Sequence, residues 1–263
     1  MRAFLTVALS AMLTAAAPAP TDQQAQLDAA LERGRRLYEI DIAGWVSTDA
    51  MLAKAPETRQ WPIRGWLVEP DPDRSGTWLV TYYLLPHGPD GEALPAFRAR
   101  VANGQVSSAE VVPVVARTAL QPAQMRIVRA IEAARKLDLK SCTGARLNVT
   151  VIPPASATAP LEVYLLTPQT DEKVFPVGGH YKAVFAPDGH LVSQRKFSNA
   201  CLNMDGRASP KGAAMFVTHL LDKIPTEIHV LLSIQTGTPL MVGMTNKDIW
   251  SVTPQRIEKV GRL

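Results

Sequence analysis

The stretch GGHYKAVFAPDGHLVSQRKFSNAC, residues 178–201, gathers side chains that could ligate a metal, move a proton or hold an anion. His180 and His190 are the residue type for the first two tasks, while Lys182, Arg195 and Lys196 suit the third. The local chemistry of the chain limits what they can do together. Pro187, Asp188 and Gly189 are turn formers, with the glycine at the site that needs a positive φ, so the stretch reads as a β-hairpin. In the register this turn predicts, Tyr181 faces Arg195, Ala183 faces Ser193 and Phe185 faces Leu191 on a half-buried face. The other face carries His180, Lys182, Val184, His190, Val192, Gln194 and Lys196. At about 3.3 Å per residue the two histidines lie roughly 20 Å apart, too far to share one ion. Any catalytic use of the hairpin needs partners from elsewhere. The expected ligand surface is Lys182 and Lys196 with Arg195 at its border, which would suit an anionic partner.

Histidines elsewhere supply the alternative. His219 and Asp222 are three apart, a spacing at which side chains on a helix converge, and His229 follows soon after. With His180 these residues could build a metal-dependent or hydrolytic site, since histidine and carboxylate are ordinary ligands. The sequence has no H-E-x-x-H, no G-x-S-x-G, and Ser209-Pro210-Lys211 is not the S-x-x-K spacing. PVGG at 176–179 lacks the spacing of a phosphate-binding loop and reads as a flexible entry to the hairpin. No catalytic residue, metal ligand or cofactor is therefore assigned. Arg126, Arg129, Arg135, Lys136 and Lys140 give a second helix a basic side without interleaved aromatics, which reads as a solvated face and excludes nucleic acid as the expected partner. Asn148-Val149-Thr150 matches a glycosylation acceptor, which has meaning only in a eukaryotic secretory pathway.

The N-terminus indicates where the chain works. Arg2 is the only charge before Asp22, and AFLTVALSAMLTAAA is too short to span a bilayer and ends in small residues. Residues 1–20 read as a secretory signal peptide cleaved after Ala16, leaving no transmembrane segment in the mature chain. Export gives meaning to Cys142 and Cys201, which are the only two cysteines. In an oxidising compartment an even count predicts a disulfide, and closing a loop of roughly 60 residues contributes about 4 kcal/mol on the chain-entropy estimate. A periplasmic or secreted location follows.

The elements that must position these residues fall into a recurring order. Hydrophobic residues make up 46% of the chain, enough for a packed core. Residues 21–117 carry a net charge of −3 and residues 118–263 a net charge of +6. A helix is predicted after Asp22 (DQQAQLDAALERGRRLYEI), then an irregular segment from Trp45 to Trp61. Strand-like runs IRGWLVEP and GTWLVTYYLLP follow, and then a hairpin turning at Asn103-Gly104. After Pro113–Pro122 the order repeats: PAQMRIVRAIEAARKL as helix, RLNVTVIP and PLEVYLLTP as strands, and the hairpin at Asp188-Gly189. The end of the chain is predicted as a helix over SPKGAAMFVTHLLDKIP, capped by Ser209, followed by an antiparallel meander from Thr226 to Val252. This is an α+β chain: an N-terminal unit over 21–117, and a C-terminal unit over 118–263 with the disulfide, a last helix and a β-meander.

A helix followed by an antiparallel meander, with HYKAVFAPDGHLVS as its hairpin, resembles the small periplasmic PepSY and cystatin-like modules. The resemblance covers residues 122–200 and, more loosely, 21–113. It implies a binding or inhibitory module, with no catalytic residue carried over. The expected function is that of an exported, non-catalytic cell-envelope protein that binds another envelope component. The alternative is a hydrolase or metal-dependent enzyme using His180, His219 and His229.

Overall fold

The computed structural model describes residues 22–208 and 214–263. The predicted signal peptide, its cleavage site and the Ser209 cap lie outside the described residues. Helix α1 (Asp22–Lys54) runs 33 residues, on the order of 50 Å, and continues through the segment expected to be irregular. Gly44, Ser47 and Thr48 are poor helix formers, but Ala43, Gly44, Ser47 and Met51 are all buried, so tertiary packing overrides propensity. The Ser47 and Thr48 hydroxyls both donate back to the Gly44 carbonyl, at 3.1 and 2.7 Å.

Strands β1 (Ile63–Pro70), β2 (Thr77–Leu84), β3 (Leu94–Ala102) and β4 (Gln105–Val111) form an antiparallel meander in that order. Helix α2 (Pro122–Ala134) is followed by β5 (Asn148–Ile152), β6 (Leu161–Leu166), the short β7 (Val174–Pro176), β8 (Tyr181–Phe185) and β9 (Leu191–Lys196). A second four-stranded antiparallel sheet has the order β5-β6-β8-β9, so the helix-then-meander order recurs as expected. Alternation along β6 sends Val163 and Leu165 into a core with α2, and Tyr164 and Leu166 into one with α1 and the C-terminal elements. The sheet is thus covered on both faces. In the first sheet, Leu67 and Tyr83 join the α2 core, while Val68, Val80 and Tyr82 pack against Ile40 and Ala43 of α1.

The C-terminal part differs from expectation. After β10 (Asn203–Asp205), which pairs with β7, the segment expected to be a helix contains β11 (Met215–His219). Met215, Val217 and His219 are buried while Phe216 and Thr218 are exposed, a period of two that the β-branched residues favour. The following segment, expected to be a strand, is helix α3 (Glu227–Thr236). Every residue from Glu227 to Ser233 is buried, so no amphipathic stripe advertises the helix. Its ends were legible instead: Thr226 at the N-cap, and Gly237 beyond the last turn with φ +64. α3 crosses over to β12 (Leu240–Met244), which pairs parallel to β11 and continues antiparallel into β13 (Asp248–Val252) and β14 (Ile257–Arg262).

α1 and α3 touch at Gly34. A Cβ there would clash with the Val230 side chain and lie 2.7 Å from the Glu227 carbonyl oxygen. Helix propensity alone predicts that Gly34→Ala stabilises by about 1 kcal/mol. The crossing predicts the opposite: a net loss of about 1–3 kcal/mol by overpacking, measured by urea denaturation.

Candidate functional site

The hairpin residues are the ones to which the sequence points. β8 and β9 pair Tyr181 with Lys196 and Lys182 with Arg195, one residue away from the expected register. An irregularity between Val184 and Phe185 leaves Val192 unpaired and restores Phe185 opposite Leu191. The expected grouping of Lys182 with Lys196 on one face is therefore corrected. Lys196 shares the face of Tyr181, which packs against the α2 core. Lys182 and Arg195 face the other way, and each is held by a carboxylate. Lys182 Nζ lies 3.2 Å from Glu227 and 3.7 Å from Glu162, and Arg195 Nη2 lies 2.6 Å from Asp222. They fasten the hairpin to α3 and the β11–α3 loop.

The histidines do not meet as one set. His180 is buried; its Nδ1 accepts from the Thr167 N–H at 3.3 Å and its Nε2–H donates to the Pro176 carbonyl at 2.9 Å. Burial pushes its pKa down to about 4, against the pull of the Pro176 carbonyl, so the ring is neutral. His229 accepts from the Thr226 N–H at 2.9 Å and so caps α3, the role Glu or Gln usually plays at that position. Burial and the nearby His219 lower its pKa to about 3. His219 stacks edge-on against His229, with centroids 4.6 Å apart, and its Nε2 sits 2.7 Å from Asp222. Burial would raise the Asp222 pKa, but hydrogen bonds from His219 and Arg195 outweigh it and hold the value at about 2. Each ring thus has a structural partner. Among the described residues no three His, Cys, Asp or Glu side chains gather to hold a metal ion.

The two cysteines form the expected disulfide, Cys142–Cys201, which joins the α2–β5 loop to the segment after β9. Gly178 and Gly179, expected to be a flexible hairpin entry, are packed against it. Gly179 has φ +73, and a Cβ there would lie 2.7 Å from Cys142 Sγ. Cys142→Ser is expected to cost about 2–5 kcal/mol, read as a lower urea midpoint in non-reducing buffer.

The cavity best suited to a ligand lies where the sequence reading gave no site. Along α1, Tyr38, Asp41, Trp45 and Thr48 recur at intervals of three and four, forming a stripe beside the buried one. This stripe forms one wall of a cleft of about 410 Å³, within the range of small-molecule sites. Trp66 of β1, Leu231 and Gln235 of α3, and the β6–β7 loop around Asp171 and Glu172 complete it, with His180 at its back.

Three features give the cleft its chemistry. Its walls present the carboxylates of Asp41, Asp171 and Glu172 and no lysine or arginine among the described residues. Tyr38, Trp45 and Trp66 contribute aromatic surface, and Trp45 remains 59% exposed although it is one of the largest apolar side chains. Asp171 shares the Arg207 guanidinium with Asp205, at 3.2 and 2.9 Å; Glu172 is exposed and enters no ion pair among the described residues, and neither does the Asp41 side chain, which makes no hydrogen bond there either. Burial pushes its pKa from 3.8 up to about 6. An ionisable group left without a partner in a cleft costs stability, a pattern that clusters at functional sites. No known protein family, curated protein or solved structure matches the chain.

Proposed function

We propose that this is an exported, non-catalytic binding protein of the cell envelope whose α1 cleft takes a small amphipathic cation, an organic amine or quaternary ammonium with an apolar body. The observation that carries this reading is the unpartnered Asp41 carboxylate facing a cavity walled by Tyr38, Trp45 and Trp66. Aromatic faces attract cations through their quadrupoles, and a half-buried carboxylate with no partner gains from a ligand that brings the missing positive charge. His180, neutral and bonded on both nitrogens, adds no opposing charge. Export is supported by the short apolar N-terminal stretch and by the disulfide, a bond typical of oxidising compartments. Among the described residues no helix is long and apolar enough to cross a membrane.

The test is a calorimetric titration with three ligands sharing one hydrocarbon body: octyltrimethylammonium, octanol and octanoate. At the α1 cleft the cation is expected to bind, octanol to compete with it at least about tenfold more weakly, and octanoate not to displace it, since cation–π and ion-pair attraction in a partly desolvated site together contribute about 2 kcal/mol or more. Equal affinity for the cation and octanol would show that Asp41 plays no part in recognition and defeat the reading.

A further inference from the structure

A second concavity lies on the opposite face of the β5-β6-β8-β9 sheet and has the opposite charge. Val149 and Leu165 line it, whereas their neighbours Asn148 and Leu166 line the α1 cleft. It is a groove of about 680 Å³ between the C-terminal end of α2 and the loop that leads to β5. Leu137, Leu139 and Leu147 give it an apolar lining; Arg64, Arg135, Lys140 and Arg146 supply positive charge, and no carboxylate lines it among the described residues.

The positive charge is only partly neutralised. Arg64 donates through Nε and Nη2 to one oxygen of Glu132, at 2.9 and 2.6 Å, and Arg135 donates through Nη1 to the other at 2.5 Å. One carboxylate thus serves two guanidinium groups. Burial would raise the Glu132 pKa, but the bonds from Arg64 and Arg135 outweigh it and hold the group ionised. Arg135 Nε finds no acceptor among the described residues, and Lys140 and Arg146 enter no ion pair there. The groove wall is also anchored. The Tyr181 hydroxyl donates to the Lys140 carbonyl at 3.0 Å, and two residues on Cys142 is bonded to Cys201. A cation-rich rim over an apolar floor, on a loop pinned at both points, matches an anionic head joined to a hydrocarbon chain.

We infer that this groove binds an amphipathic anion, an alkyl carboxylate or alkyl phosphate. The head group sits between Arg64, Lys140 and Arg146, and the chain lies on the three leucines. The inference stands apart from the α1 cleft, because it concerns the other face of the sheet and a ligand of opposite sign.

The test uses the full chain with labelled leucine methyl groups, titrated with octanoate, octyl phosphate and inorganic phosphate below the micellar concentration. Octanoate and octyl phosphate are expected to shift Leu137, Leu139 and Leu147, with inorganic phosphate at least about tenfold weaker because it lacks the apolar contact. The better of the two amphiphiles identifies the head group. Lys140→Glu/Arg146→Glu changes two exposed side chains, so it should leave the melting temperature in place while weakening both amphiphiles about tenfold or more. Absence of shifts at those leucines up to millimolar ligand overturns the inference. So does unchanged affinity in the charge-reversed protein, or association with anionic vesicles alone. Loss of octyltrimethylammonium binding, by contrast, touches only the α1 cleft.

Discussion

Asp41→Asn is expected to weaken octyltrimethylammonium binding about 10–100-fold at neutral pH and, in the same protein, to raise stability. The first effect follows from removing the carboxylate that stands among Tyr38, Trp45 and Trp66 with no partner among the described residues, since an ion pair at about 5 Å contributes about 3 kcal/mol at an effective dielectric of about 20, less the desolvation of the charges. The second follows from the carboxyl pKa, which burial pushes from 3.8 up to about 6. The folded protein therefore binds this proton more readily than the unfolded chain does. Stability associated with the protonated group is fully present below about pH 4 and is lost as pH rises through about 6. Above that, the wild type carries the whole penalty of an unpaired charge and the asparagine variant carries none. Two units correspond to at most about 3 kcal/mol; because the side chain opens on the cleft, about 1–3 kcal/mol is expected. The gap between the two proteins should close as the buffer is taken from about pH 7.5 toward pH 4. Cation affinity of the wild type should fall across the same window, as Asp41 takes up its proton. Urea denaturation and calorimetry at matched pH values read both effects. A variant that loses stability, or binds the cation as before, shows that Asp41 is structural and the cleft reading wrong.

That pairing of gain and loss separates a ligand site from a packing position. Most core substitutions destabilise, because the fold selected the residue. A residue whose removal stabilises is being kept for another reason, and a ligand is the simplest reason for an unpaired carboxylate beside tryptophans.

The residues explain why the hairpin was legible in the sequence and the cleft was not. Pro187-Asp188-Gly189 and Asn103-Gly104 are local signals, since turn type depends on a few adjacent φ values, and both hairpins form where those signals lie. The pairing of Lys182 with Arg195 was missed because the extra residue, Val192, carries no turn chemistry of its own. Burial decides the rest, and burial is not local. Ala43, Gly44 and Ser47 are helical because they pack on the first sheet, so the Tyr38–Asp41–Trp45–Thr48 stripe becomes visible only once α1 is known to run to Lys54. A search for carboxylates flanked by aromatics at helical spacing would have found it. The exchange of helix and strand between Met215 and Thr236 has the same origin. α3 is buried all round from Glu227 to Ser233, polar residues included, so its apolar residues show no 3.6-residue period.

Glu227→Ala is expected to cost about 3–5 kcal/mol, because it takes from the half-buried Lys182 ammonium its nearest carboxylate and leaves the buried Tyr164 hydroxyl only a long contact to Glu162 at 3.4 Å. Glu227 occupies the first turn of α3, accepts from the Tyr164 hydroxyl at 2.9 Å and lies 3.2 Å from Lys182 Nζ. Tyr164 is fully buried, and burial together with Glu227 and Glu162 keeps its phenol protonated far above the usual range. Glu162 pairs with Arg33 of α1 at 3.1 Å and stands 3.7 Å from Lys182, so the four charges tie α1, β6, β8 and α3 at one point. With Glu227 gone, Lys182 keeps only the longer contact to Glu162 and the face of Tyr164, 5.5 Å from its centroid. Glu227→Gln retains an acceptor for Tyr164 but no charge for Lys182, and should fall between wild type and alanine. Adding Lys182→Met to Glu227→Gln removes the orphaned cation and should recover part of the loss, since replacing both ionic partners costs less than breaking the pair. Equilibrium urea denaturation of the four proteins measures the series. If the double variant is no more stable than Glu227→Gln alone, the loss comes from the α3 terminus and not from the stranded lysine.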